Sequence, residues 1–399
     1  MNPARVAPAA VVILSGMVAA LHIGKIPPAI PVLHEALGMT LIQAGFLLSL
    51  VQMAGMAFGV LIGVAADSAG FRRSMLTGQA ILALASIAGA WARGPSELLV
   101  LRGLEGVGFL LVVLSAPSLI RQLVPPSRLA LYLGFWGTYM AAGVSTALLA
   151  GPAVMQAVGW QGWWGLLAAA SALMGLWVAL RVPSDEVRRK AAPVSAAAID
   201  TWQQRLRLTL SSSGPWRVAL IFLFYSGQWM AVVGFLPSIY VQAGISGLLA
   251  GPLTALAALV NVIGNIAAGR LLHRGVCARH LLFAGFACMA AGAFLTFGEV
   301  TDHAPVVRYL AVLMFSAVGG LIPATLFSVA VHVAPSERTV STTVGWMQQC
   351  SATGSSVAPP LIAWVAGSMG GWQWTWAVTG LACLAGVLLA RGINFARHV

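Results

Sequence analysis

Ionisable residues are scarce in this chain. Of its 399 residues only 8% are Asp, Glu, Lys or Arg, and 59% are apolar; an average soluble domain is roughly 25% charged. That excludes water as the main solvent of the fold. Lysine is scarcer still, since Lys25 and Lys190 are the only lysines among 22 cations. There are four cysteines, Cys277, Cys288, Cys350 and Cys383, with no C-x-x-C spacing. They read as reduced, buried thiols, not a disulfide framework or metal site. Several catalytic signatures are also missing. No G-x-x-x-x-G-K-[ST] phosphate loop occurs, which argues against an ATP-driven pump. His34-Glu35 continues as Ala36-Leu37-Gly38, so no H-E-x-x-H zinc site forms, and no G-x-S-x-G elbow is present. The chain reads as a protein that is not an enzyme and uses no metal or cofactor.

Long apolar runs take the place of these features. Spans are expected near 9–33, 41–64, 75–92, 97–120, 129–153, 161–180, 216–242, 247–271, 280–298, 306–332, 339–366 and 373–390. Each approaches the ~20 residues a membrane crossing needs. The first run leads into Pro27, Pro28 and Pro31 without a small-residue cleavage site, so it is expected to be a retained helix. The expected fold is an all-α membrane protein of twelve transmembrane helices. Its parts are an N-terminal six-helix bundle (1–181), a cytoplasmic linker (182–214) and a C-terminal six-helix bundle (215–399).

A formal charge of +12 would suggest nucleic acid in a soluble protein. Here orientation accounts for it. If the N-terminus is cytoplasmic, every cation except Lys25, Arg93, Arg102 and Arg308 falls in or beside a cytoplasmic segment. This asymmetry sets an even number of spans with both termini inside a bacterial-type inner membrane.

The halves repeat at an offset of 206 residues. Pro31 falls on Pro237, Gly38 on Gly244, Gly63 on Gly269, Arg73 on Arg279, Arg102 on Arg308 and Pro117 on Pro323. With small gaps, Gly159-Trp160 then matches Gly371-Trp372. Six crossings per half make the repeat parallel, which places a solute site near the midplane between the halves.

Gly63-Val-Ala-Ala-Asp67-Ser-Ala-Gly70-Phe71-Arg72-Arg73 resembles the loop motif between helices 2 and 3 of the major facilitator superfamily. Phe71 stands where that pattern has its first Arg. The resemblance implies a conformational latch of Asp67, Arg72 and Arg73, with Asp67 pairing with cations or a facing helix end. His273 takes the Asp position in the second half, so the latch is expected in the first half only. Leu98-Leu-Val-Leu-Arg102-Gly-Leu-Glu105-Gly106 resembles the family's R-x-x-Q-G motif with Glu for Gln. Ala150-Gly151-Pro152 partly matches its Gly-Pro antiporter motif. Within the family, the stretch from Ile26 to Gly55 looks most like the cyanate and 2-nitroimidazole transporters. The resemblance implies secondary transport by a monomer, possible use of protons, and no partner beyond solute and lipid.

Lys25 lies about sixteen residues into the first span, where a cation costs at least about 2.5–3.5 kcal/mol. Glu105 is the one acid clearly inside a span, and Arg102 three residues before it is already a local partner. Lys25 is therefore expected to stand unpaired at the central cavity as an anion-binding cation, the other reading being a permanent ion pair. His22 shares its face, as a packing residue or a group titrating near neutral pH. Tyr225, Gln228 and Trp229 are expected on the cavity wall facing Lys25. Tyr139 and Asn261 are further substrate-binding candidates, with Trp346, Gln348 and Gln349 weaker ones. Glu105 is the candidate for proton coupling. Gly55, Gly59 and Gly63 form a G-x-x-x-G ladder for close helix contact. Asn261 and Asn265 occupy the ladder's repeat positions and are expected to bridge helices.

The function expected from these features is secondary transport of a small organic or inorganic anion by alternating access, with or without proton coupling, the anion being held by Lys25 with help from His22, Arg102 and the helix 7 polar groups. The rival is a proton-driven exporter of neutral or weakly basic drugs such as nitroimidazoles. A membrane enzyme needs a cluster of catalytic His and acids, and a sensor needs a soluble domain. Neither is visible in the sequence.

Overall fold

The computed structural model describes residues 7–39, 41–185, 201–242, 247–301 and 303–393. The linker charges Glu186, Arg188, Arg189, Lys190 and Asp200, the terminal Arg5 and Arg397, and Gly244 of the repeat lie outside the described residues. Among the described residues every element is helical, and the helices make twelve crossings. The first half holds α1 (Pro8–Gly24, resuming as Ile30–Leu37), α2 (Leu41–Ala69), α3 (Phe71–Ala90), α4 (Pro95–Leu123) and α5 (Pro126–Gly137 and onward). A helical run, Tyr139–Arg181, is broken at Gly159 (φ 72°), giving the rest of α5 and then α6. The second half holds α7 (Ser213–Gln242), α8 (Gly247–Leu259 continued by Asn261–His273) and α9 (Ala278–Phe297). It is completed by α10 (Pro305–Gly319 continued by Leu321–Val333), α11 (Val340–Ser368) and α12 (Thr375–Ala390).

Length and hydropathy alone pick out nine apolar stretches among the described residues, one of which, Pro126–Arg181, holds two crossings. The two helices outside that set are α3, which opens with Arg72 and Arg73, and α11, whose first half is rich in Ser, Thr and Gln. Polar residues lower their mean hydropathy, and neighbouring helices cover the polar atoms: Ser341, Thr342 and Thr343 are all fully buried.

Several helix limits follow from local chemistry. Pro8, Pro95, Pro126 and Pro305 each sit in a first turn, where a missing N–H costs nothing. Pro27 and Pro28 interrupt α1, because a proline ring excludes the carbonyl four residues earlier and offers no donor. The N-terminal piece ends at Gly24 with Lys25 as its C-cap residue, the end where a helix favours a cation. Gly70, at φ 102°, separates α2 from α3. A β-carbon there would lie 2.6 Å from Asp185 Oδ2.

The halves meet along two seams. In the first, the glycine ladder of α2 packs on α11, Gly55 against Ala352, Gly59 against Gln349 and Gly345, and Gly63 against Ser341. In the second, Gly134 of α5 meets Gly269 of α8 backbone to backbone, and Gly137 meets Asn265. These are repeat-related contacts, since Gly63 and Gly269 are equivalent positions. A short linker helix, Trp202–Ser211, precedes α7 and is capped by a box between Thr201 and Gln204. Its Arg205 donates to Ser68 Oγ of α2 at 3.0 Å, so a segment joined to the second half rests on the first.

Candidate functional site

Four polar side chains converge inside the N-terminal bundle. The Glu105 carboxylate of α4 binds Lys25 Nζ through Oε1 and Arg102 Nη1 through Oε2, the latter at 2.8 Å. Lys25, Arg102 and Glu105 are 0%, 2% and 3% exposed. Lys25 also donates to Ser86 Oγ of α3 at 3.1 Å and sits 4.6 Å from the ring centre of Trp164 in α6. Arg102 is held further by the carbonyls of His22 (2.6 Å) and Leu47 (3.0 Å). The His22 ring lies between α6 and α4, with Nε2 2.8 Å from Ser171 Oγ and Nδ1 3.5 Å from Glu105 Oε1. A narrow crevice lined by Ile26, Leu47, Leu98 and Leu101 reaches the cluster.

This geometry corrects the expectation of an unpaired ammonium at the central cavity. Glu105 has two oxygens, and a local partner on one leaves the other for Lys25. The i,i+3 contact with Arg102 does not exhaust the carboxylate. Lys25 and His22 accordingly turn toward α3, α4 and α6, into the bundle and not toward the second half. Ser86, Trp164 and Ser171 were not among the sequence candidates. Two serines and a tryptophan in apolar spans are too common a signal to single them out.

The helix α7 residues do not face Lys25 either. Tyr225 OH accepts from Asn261 Nδ2 at 3.0 Å, and the same amide donates to the Ser316 carbonyl at 2.8 Å. Trp229 Nε1 donates to Ser316 Oγ at 3.1 Å. These contacts tie α7, α8 and α10 together within the C-terminal bundle, and Asn261 bridges helices. Asn265 Nδ2 donates to Asn261 Oδ1 at 2.9 Å. Gln228 points to α12, where Cys383 Sγ lies 3.2 Å from its Oε1. The repeat explains that position. Gln228 is equivalent to His22, and Cys383 to Ser171, so His22–Ser171 and Gln228–Cys383 are the same contact in the two halves. Arg308, equivalent to Arg102, instead caps the end of α9 by donating to the Gly298 carbonyl at 3.1 Å and to Thr301 Oγ1 at 3.2 Å.

Between the halves runs a chain of aromatic rings. Tyr139 stacks on Trp136 (centroids 4.4 Å apart), both meet Phe327 of α10 edge-on, and Phe327 meets Phe222 of α7 at 5.8 Å. Gln348 of α11 donates to Tyr139 OH at 3.4 Å. Gln349 Oε1 accepts from the Val60 N–H, and Trp346 packs on Trp216. Among the described residues these ring contacts involve no ionised side chain.

At the end of the molecule where α2 stops and α11 begins, Asp67 closes the α2–α11 seam. Its carboxylate accepts from the backbone N–H of Ser341 (3.2 Å) and Thr342 (2.8 Å) and from Thr342 Oγ1 (2.5 Å), at the N-terminus of α11. A carboxylate there satisfies orphan amides and complements the helix dipole. Of the two outcomes expected for Asp67, the facing helix end is the one observed. The neighbouring basic pair works elsewhere. Asp185 accepts from the backbone N–H of Arg72 and Arg73, capping α3, and the Arg72 guanidinium donates to the Ala179 carbonyl. Arg121 and Glu337 add an ion pair across the halves at 2.9 Å. Beside it lies a cavity of about 220 Å³ lined by Phe71, Ser118 and Gln122. The four cysteines are free thiols, and no metal-binding cluster occurs among the described residues.

Two six-helix halves related by a parallel repeat, sealed along two seams at one end, define a multi-pass membrane transporter of the alternating-access class. The chain belongs to the Major Facilitator Superfamily, whose sequence profile matches residues 12–359. Solved structures of the same fold include the proton:xylose symporter XylE, with 14% identity, TM-score 0.77 and 96% of this chain matched to 94% of that one. FucP in the outward conformation shares 16% identity with TM-score 0.77 (96% of this chain, 98% of that one). The human organic anion transporter MFSD10 shares 18% identity with the same score and coverage. No curated protein sequence matches the chain significantly. The family makes it a secondary active transporter of small molecules and not an enzyme.

Proposed function

We propose that the chain carries a small organic or inorganic anion across the bacterial cytoplasmic membrane, together with protons, as a monomer with both termini inside. One observation carries the anion reading. Lys25 and Arg102 share a single carboxylate at membrane depth, so with His22 neutral the cluster holds one uncompensated positive charge. An anion supplies the missing charge, and reaching it requires Lys25 to leave Glu105. The free ammonium expected from the sequence no longer supports the reading; the charge imbalance takes its place. The gathering of cations in the segments expected to be cytoplasmic supports this orientation.

A specific observation favours a second reading, an exporter of neutral or weakly basic solutes such as nitroimidazoles. The seam through which an alternating-access carrier passes its cargo is lined by aromatic rings and amides. On that reading the charged cluster only couples and stabilises. Proteins sharing the fold are named for a sugar and for organic anions, so fold does not separate the two. Thermal stabilisation of the purified protein by formate, nitrate, cyanate and 2-nitroimidazole at two pH values does. Stabilisation by the anions that vanishes in Lys25→Ala supports the first reading. Stabilisation by nitroimidazole that survives Lys25→Ala replaces it with the second.

A further inference from the structure

We propose that His22 takes up the coupling proton, and that the proton acts by exchanging the partner of Lys25: protonated His22 binds the Glu105 oxygen that Lys25 holds and releases the ammonium. This deepens, and rests on, the reading of the cluster as the coupling element.

Both oxygens of Glu105 are occupied, Oε2 by Arg102 and Oε1 by Lys25. The two cations differ in freedom. Arg102 donates to Glu105 and to two backbone carbonyls on α1 and α2, and a planar guanidinium held at three acceptors is fixed. Lys25 is a point charge on a flexible stem, and its other two contacts, Ser86 Oγ and the Trp164 face, remain within reach when it lets go of Oε1. Lys25 is therefore the member that moves.

His22 is placed to displace it. Its Nδ1 lies 3.5 Å from the same Oε1 and makes no hydrogen bond there, although the ring is buried. When Nε2–H donates to Ser171 Oγ, Nδ1 turns a lone pair toward a carboxylate oxygen. Two acceptors then face each other, and a proton fits between them. A hydronium ion delivers the proton: Nδ1–H forms as one O–H bond of the hydronium breaks, leaving a water molecule. The imidazolium then forms a charge-assisted hydrogen bond to Oε1 and repels the ammonium beside it. The charged and titratable groups facing His22 are Lys25 on its own helix and Arg102 and Glu105 on α4. The packed faces of α2, α3 and α6 contribute the Leu47 carbonyl, the Ser86 and Ser171 hydroxyls and the Trp164 ring to the cluster among the described residues. In the second half Gln228 makes the equivalent contact to Cys383 but has no proton to gain. The switch is therefore single, and Gln is the residue the fold already accepts at that position.

The near absence of lysine makes the test direct. With Lys190→Arg, Lys25 is the sole lysine, and protein labelled with [15Nζ]lysine in lipid nanodiscs reports on it alone. Between pH 8 and pH 5 the Lys25 resonance should shift in one step, and the step should be absent in His22→Gln. A Lys25 signal that stays still across the range, or an unchanged step in His22→Gln, overturns the proposal. Should His22→Gln fail to fold, imidazole labelling of the parent protein decides. A common midpoint for His22 and Lys25 supports the exchange, and separate midpoints overturn it. No solute is needed, so a silent Lys25 in a transporting protein defeats this inference alone. Failed transport with an intact step leaves it standing.

Discussion

The cluster's charge imbalance predicts an asymmetry between two neighbouring substitutions. Glu105→Gln leaves Lys25 and Arg102 buried together with no counter-charge. Breaking a buried pair from one side costs about 3–5 kcal/mol because an uncompensated charge remains, and here two remain. Lys25→Met keeps the stem volume and leaves Glu105 with Arg102 as a neutral one-to-one pair at 2.8 Å. Its losses are the ammonium's bonds to Glu105 and Ser86 and its ring contact. Relief of the excess charge offsets them, so the net cost should be about 0–2 kcal/mol. The double variant removes one of the two stranded cations and should be more stable than Glu105→Gln alone. Reversible unfolding by SDS titration in mixed micelles, followed by circular dichroism, measures all three. If Glu105→Gln falls within about 1 kcal/mol of the parent, or Lys25→Met is as damaging, the charge arithmetic is wrong.

The repeat-related arginines should differ in the same assay: Arg102→Ala leaves Lys25 and Glu105 as a neutral pair but strands the buried His22 and Leu47 carbonyls and opens a void, about 2–4 kcal/mol, whereas Arg308→Ala, which loses its bonds to Gly298 and Thr301 at a helix end, should cost about 1 kcal/mol. At the latch, Asp67→Asn keeps an acceptor for the α11 amides but removes the charge, a loss of about 0.5–2 kcal/mol that should fall on the sealed conformation. Ser118 and Ser341 hydroxyls lie 2.9 Å apart across that seam. Disulfide yield in Ser118→Cys/Ser341→Cys therefore reads its closure, and an unchanged yield in Asp67→Asn would refute the latch. Gly63→Ala should lower that yield more strongly, because its β-carbon would sit 2.5 Å from the Ser341 carbonyl oxygen; full crosslinking in Gly63→Ala would show that the seam can yield.

The architecture was legible because its cause is one-dimensional. A span is a contiguous apolar run, and a parallel duplication leaves matched prolines, glycines and arginines at one offset. Even α3 and α11, which open with more polar residues than the other helices, contain apolar runs that read as spans over 75–92 and 339–366. The site was half legible. That Lys25, His22, Arg102 and Glu105 matter follows from the expense of charge in hydrocarbon. Which way each side chain turns depends on helix rotation and on partners tens of residues away, which spacing along one helix does not encode. The i,i+3 neighbour of Glu105 is therefore only one of its partners, and nothing along the chain marks Ser86 or Ser171 as contacts of Lys25 and His22. Gln228 shows how the repeat could have helped. Pairing His22 with Gln228 and Ser171 with Cys383 at their respective offsets names one contact twice, and a polar pair recurring in both halves is a stronger hint than either residue singly.

The linker helix has a consequence for how the molecule can be put together. It belongs covalently to the second half yet anchors on Ser68 of the first through Arg205. Two separately synthesised fragments, divided between Asp185 and Thr201, would thus carry a docking peg on one piece and its socket on the other. Together with two glycine-lined seams, that gives co-expressed fragments matched surfaces on which to associate in the bilayer.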